Sequence, residues 1–175
     1  MATKKTAIFT LTERVTISAA NTTTSATIDL ASYVEVGVRQ AICEHSVDYV
    51  VQGSDANGPL TESLSSDAEV SCQVTDLNRG GLVFANDRAL ISSMNLFADN
   101  AAGYYKDADL YPDNFGKGSD DGRFVVNDQL YISSRSSNIA TNESVNITIR
   151  VNASIVTLSS KDFMAIAIQS TAADN

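Results

Sequence analysis

The sequence predicts an all-β chain: an antiparallel β-sandwich with one short C-terminal helix. Three observations predict it. Two long stretches, Gln40 to Gln52 and Val145 to Thr157, alternate apolar and polar residues, and a period of two puts one set of side chains on one face of a strand. Clusters of turn residues separate these stretches from several shorter ones. The composition is rich in Ser, Thr, Asn, Asp and Val and poor in Lys and Glu, which suits strands and turns better than helices.

The stretch VNITIRVNASIVT organises the rest. Val145, Ile147, Ile149, Val151, Ala153 and Ile155 alternate with Asn146, Thr148, Arg150, Asn152 and Ser154. At about 3.4 Å per residue it spans roughly 40 Å, long for a strand. One face needs cover from a second layer and the other can meet water.

In chain order, Met1 to Thr6 reads as a loose tail. Ala7 to Leu11, Arg14 to Ser18 and Thr23 to Leu30 are short β-prone runs, with Asn21 in the turn before the third. In Gln40 to Gln52, Ala41, Cys43, His45, Val47, Tyr49 and Val51 share one parity, expected to face the core. Glu44, Ser46 and Asp48 share the other. GSDANG and Pro59 form a turn cluster. Glu69 to Thr75 turns Val70, Cys72 and Val74 inward, and NRGG at 78–81 is a turn. Leu82 to Ala85 and Ala89 to Phe97 are further apolar runs, the second compatible with a helical turn.

Asp99 to Gly122 departs furthest from strand pattern and reads as a long loop, with a short helix conceivable at Ala101 to Lys106. Loops beyond about 12–15 residues are uncommon in compact domains and are often functional. Arg123 to Ser133 returns to strand, and Ser134 to Glu143 reads as a polar turn. Ser159 then suits an N-cap, with Asp162 three residues on. Phe163, Ile166, Ala167 and Ser170 follow at helical spacing, with Met164 and Ile168 beside them. This places the helix within 159–170, and the final TAADN should fray.

The chain has 175 residues, a length that fits one domain large enough to bury about 70% of its unfolded surface. The strand count, about eight or nine, points to a sandwich or barrel. An eight-stranded jelly roll fits the length better than an immunoglobulin-like sandwich, which needs only about 100 residues. The net charge of −9 and a pI of about 4.4 argue against direct binding of nucleic acid, because only Lys4 and Lys5 pair near the N-terminus. No run of about 18 apolar residues suggests a membrane span, and the start MATKKTAIFT lacks the apolar core of a signal peptide. Cys43 and Cys72 read as small buried hydrophobes, with a disulfide as the alternative.

Catalytic chemistry finds little to build on. His45 is the one histidine, so a zinc site made of several histidines is impossible. A hydrolase triad would need His45 as its base, yet Ser46 and Asp48 are not placed to pair with it. G-x-S-x-G, H-E-x-x-H and Walker A sequences are absent, and Gly116, Gly118 and Gly122 read as loop glycines. No cofactor is expected. Asp107, Asp109 and Asp113 could gather around Ca²⁺, although the EF-hand pattern is missing and a solvated acidic loop accounts for them. Sequons at Asn21, Asn142, Asn146 and Asn152 fit chance in a Ser/Thr-rich chain. Tyr104, Tyr105, Tyr111 and Phe115 in the 99–122 segment are interface candidates, since Tyr and Phe are enriched at interface cores. They could instead stack on a sugar ring or fold back onto their own sandwich.

The run VNITIRVNASIVTLSSKDFMAIAIQS, a long final strand followed by a short helix, resembles the C-terminal end of small jelly-roll virion proteins. The resemblance covers about 30 residues and is one of pattern. It implies a capsid or capsid-decorating subunit that associates with copies of itself and with other virion proteins, located in the virion and made in the host cytoplasm. A trimer is the oligomer expected of such a subunit. The Arg-rich arm that many such proteins use to neutralise a genome is missing here. The competing expectation is a carbohydrate-binding or adhesin-type sandwich with Tyr104, Tyr105 and Tyr111 as a stacking platform. An enzyme is not expected.

Overall fold

A computed structural model of the chain describes residues 2–56, 60–99, 101–111 and 122–172. Two antiparallel sheets face each other. The first contains β1 (Thr3–Lys4), β2 (Phe9–Ile17), β4 (Gln40–Gln52), β8 (Arg123–Val125) and β10 (Val145–Thr157). The second contains β3 (Thr24–Asp29), β5 (Ala68–Thr75), β6 (Leu90–Asp99), β7 (Tyr104–Tyr111) and β9 (Gln129–Ser136). Helix α1 (Ser160–Ala172) follows β10.

The pairing defines the topology. Setting aside β1 and β7, the first strand pairs with the last, β2 with β10. The second pairs with the penultimate, β3 with β9. Then β4 pairs with β8, and β5 with β6. That nesting is a long two-stranded ribbon rolled up on itself. It gives the orders β2-β10-β4-β8 and β3-β9-β5-β6 in the two sheets. This strand order is a jelly roll.

The core lies between the sheets. Val145, Ile147, Ile149, Val151 and Ala153 of β10 face Val70, Cys72 and Val74 of β5, Leu130 and Ile132 of β9, and Ile91 and Met94 of β6, all buried. The bounds of β10 and β4 are those expected. On the outer face of β10, Thr10 donates to Asn152 and Thr16 to Asn146, each at 2.7 Å, so the polar parity is tied across the strand pair.

Helix α1 covers a second, smaller cluster. Phe163 packs with Ala41, Cys43, Val156 and Leu158, and Phe124, Val126 and Ile166 border it. Val156 and Leu158 have the opposite parity to Ala153, so this cluster lies on the outer side of the first sheet. The helix starts on the expected cap: the Asp162 N–H donates to Ser159 Oγ at 3.1 Å, and the Ser159 hydroxyl donates to Asp162 Oδ2 at 2.7 Å.

Several expectations are corrected. Tail residues Thr3 and Lys4 form β1, opposite Thr157 and Val156 of β10. Phe9 to Ile17 is one strand where two runs were expected. Leu82 to Ala85 is not a strand: the Val83 N–H and C=O bond the Gln73 side chain, and Phe84 is 88% exposed. The 99–122 loop contains β7, paired with β6, and residues 101–103 form a turn in place of the conceivable helix. Arg123 to Ser133 divides into β8 and β9, which lie in different sheets. β9 then runs on to Ser136, because Ser134 and Ser136 are small enough to be buried and are hydrogen-bonded to Cys72 and to the Asn138 carbonyl.

The most consequential correction is in β4. Asn152 of β10 sits opposite Ser46, but Ala153 sits opposite Glu44, so His45 is an extra residue in the ladder. Such a bulge reverses the parity beyond it. Val47, Tyr49 and Val51 pack against the main core as expected. Before the bulge, Ile42 and Glu44 are the inner pair, while Ala41 and Cys43 turn outward beneath α1. Cys43 and Cys72 therefore lie in different layers, and no disulfide joins them.

Candidate functional site

The bulge brings a charged cluster to one end of the sandwich. Glu44 is fully buried, and neither carboxylate oxygen has a hydrogen-bond partner among the described residues. Its register partner on β8 is Arg123, so the two side chains share a face. Yet the Arg123 guanidinium extends to other groups. Nη1 donates to the Leu90 carbonyl at 2.9 Å, and Nη2 donates to the Arg88 carbonyl at 2.7 Å and to Asp76 Oδ2 at 3.1 Å. Asp76, just past β5, has its carbonyl held by Asn127 Nδ2 at 2.6 Å, while its Oδ1 is buried with no hydrogen-bond partner among the described residues. Arg123 thus fastens the end of β5, the start of β6 and β8 together.

Burial sets the electrostatics. It raises the Glu44 carboxyl from 4.5 to about 8, against the pull of Arg123 and with a further push from Asp76. Glu44 is therefore mostly protonated at neutral pH. Burial also raises Asp76, opposed by Arg123. Tyr49, whose hydroxyl donates to Ser92 at 2.9 Å, is raised well above its ordinary value by burial. The Cys72 thiol is pushed up to about 12 by burial, so it is an inert thiol.

His45 meets a hydroxyl: its Nε2 lies 2.9 Å from Ser154 Oγ, across to β10. Burial, with Lys4 nearby, lowers its pKa and favours the neutral ring. Ser154 is 1% exposed, however, so an attacking oxygen there has no path to a substrate. Ser46 and Asp48 do not serve His45. Both accept from Asn152 Nδ2, at 2.8 and 3.2 Å. The His45–Ser154 bond closes the bulge.

The sequence-predicted interface residues divide. Tyr104, Tyr105 and Tyr111 lie on β7, opposite Asp99, Ala98 and Ser93 of β6. Phe115 lies outside the described residues. β7 pairs with β6 alone and forms the edge of the second sheet among the described strands. Of the calcium candidates, Asp107 and Asp109 are spread along β7, and Asp113 lies outside the described residues. No group of three or more His, Cys, Asp or Glu gathers among the described residues. An open depression is lined by Ser65, Ser66, Asp67 and Ala101. Sequence reasoning missed Glu44 and Ser154. Glu44 sat on the polar parity, and Ser154 becomes a partner of His45 only once β10 is known to neighbour β4.

Four of the exposed apolar side chains lie on the helix and on the turn held to its start. Met164 is 58% exposed and Ile168, one turn on, is 59% exposed. Val36 and Val38, also exposed, lie in a turn held to the start of α1, where the Leu158 N–H donates to the Arg39 carbonyl at 3.0 Å and Arg39 donates to Ser160 Oγ.

No family model and no curated protein sequence matches the chain. Among solved structures, it is similar to Trichodysplasia spinulosa-associated polyomavirus VP1 in complex with 3'-sialyllactose, at 10% identity over 89% of this chain and 96% of that one, with a TM-score of 0.45. The same virus protein in complex with GM1 oligosaccharide is similar at 9% identity over 89% and 97%, with a TM-score of 0.42. The jelly-roll assignment rests on strand order, not on these matches.

Proposed function

We propose that the chain is a virion structural protein, a jelly-roll capsid or capsid-decorating subunit that self-associates in a shell. The observation that carries this reading is a jelly roll with exposed apolar groups on one helix and the turn held to its start, Met164, Ile168, Val36 and Val38, while Ile8, Val50, Phe84 and Phe97 are exposed elsewhere. Exposed apolar groups brought together on one surface favour contact with another subunit. The edge strand β7, with Tyr104, Tyr105 and Tyr111, offers a second contact. The partners are copies of the chain, in a trimer, and other virion proteins. The net charge of −9 fits a subunit whose inner surface meets protein and not the genome.

Sedimentation velocity on the purified chain tests the reading. Oligomers or regular particles at physiological salt are expected. The Tyr104→Ala/Tyr105→Ala variant should sediment more slowly while keeping the wild-type melting temperature. Unchanged sedimentation of that variant removes β7 from the interface. A monomer at every concentration, stabilised by Ca²⁺ or sugar, would favour a binding module instead.

A further inference from the structure

We propose that Glu44, set against Asp76 and Arg123 where β8 closes the first sheet, is a proton-controlled latch on β8. The proposal does not depend on the shell reading. β8 is short and, among the described strands, sits at the sheet edge, held to β4 by the pairs Ile42–Val125, Cys43–Phe124 and Glu44–Arg123. Gly122, just before it, lies so close to β4 that an added Cβ would stand 2.5 Å from the Glu44 carbonyl oxygen. β8 thus packs tightly along the backbone of β4 at the residue that carries the buried carboxyl.

The charge count explains the latch. With Glu44 protonated, the cluster holds, among the described residues, one carboxylate, Asp76, and one guanidinium, Arg123, bonded to each other. Arg123 keeps its two carbonyl anchors, and β8 stays docked. When Glu44 loses its proton, two carboxylates face one guanidinium in a buried site. The three bonds of Arg123 leave its Nε–H and one Nη1–H, but neither meets a Glu44 oxygen in this arrangement, so the new charge stays without a hydrogen bond until β8 lifts and water enters. Among the described residues, the surrounding groups offer no relief. Tyr49 on β4 itself and Cys72 on β5 of the facing sheet stay protonated through this range. Arg79 faces Asp76 and is paired with Asp87 at 3.2 Å. His45 is engaged with Ser154, and burial favours its neutral ring.

Amide hydrogen exchange tests the latch. Protection of the 123–125 segment is followed from pH 5 to 9, corrected for intrinsic exchange rates and referred to Ile147 and Ile149 on β10. If Glu44 titrates normally once β8 is open, the opening constant should rise about tenfold per pH unit up to about pH 8 and then level off. In Glu44→Gln, whose amide cannot ionise, the corrected protection should be flat. Equal pH dependence in both proteins, or a wild-type loss spread evenly over β10, would overturn the latch. Should Glu44→Gln fail to fold, carboxyl ¹³C NMR of the wild type decides. Titration of Glu44 in the same pH range as the opening supports the latch, and a midpoint below about 6 overturns it.

Discussion

Replacing Glu44 by glutamine should change how global stability depends on pH, and the size of the change follows from the burial of one carboxyl. The group is raised in the folded state from 4.5 to about 8. The folded protein therefore binds a proton that the unfolded chain has already lost across that interval. Stability from this group is fully present below about pH 4.5 and is lost as pH rises to about 8. At about 1.4 kcal/mol per pH unit the interval amounts to about 5 kcal/mol, an upper bound because opening of the site lowers it. Against a total of about 5–15 kcal/mol for a typical domain, that is a large share. Urea denaturation of both proteins at pH 5, 7 and 9 measures it. The difference between them isolates Glu44, because titration of other groups is common to both. The glutamine amide cannot ionise, so the variant should gain on the wild type by several kcal/mol between pH 5 and pH 9. A constant difference across that range would refute the burial of a protonated carboxyl.

Two further substitutions probe the same end of the molecule. Gly122→Ala places a methyl group 2.5 Å from both Cys43 Sγ and the Glu44 carbonyl oxygen; since backbone cannot rotate away, it should cost about 1–3 kcal/mol in urea denaturation, with exchange protection lost first in β8. Ser159→Ala removes the cap of α1 and should cost about 1 kcal/mol, read as a lower urea midpoint with β10 protection unchanged.

Much of the fold was legible because alternation in a half-buried strand is a direct record of burial. β10 shows it from Val145 to Ala153 and β4 from Val47 to Val51, and α1 announces itself by a cap and a change of period. The errors have local physical causes. Nothing in CEHSV marks His45 as an extra residue, because a bulge is a property of the pair of strands and not of either alone. That one residue put Glu44 on the wrong face and hid the charged cluster. β7 reads YYKDADLY, whose charged residues resemble a loop, and its strand character comes from pairing with β6. Ser134 and Ser136 looked like a turn because buried serines leave no apolar signal, although each finds a bond. The interface candidates were legible only as aromatics in an acidic segment.

The most direct test of the account is the mass of the purified chain in solution at physiological salt, measured by sedimentation velocity over a wide concentration range and checked by negative-stain microscopy. A subunit built to touch its own copies should give trimers or larger regular assemblies. A protein that remains a monomer throughout, with no particles on the grid, would contradict the account.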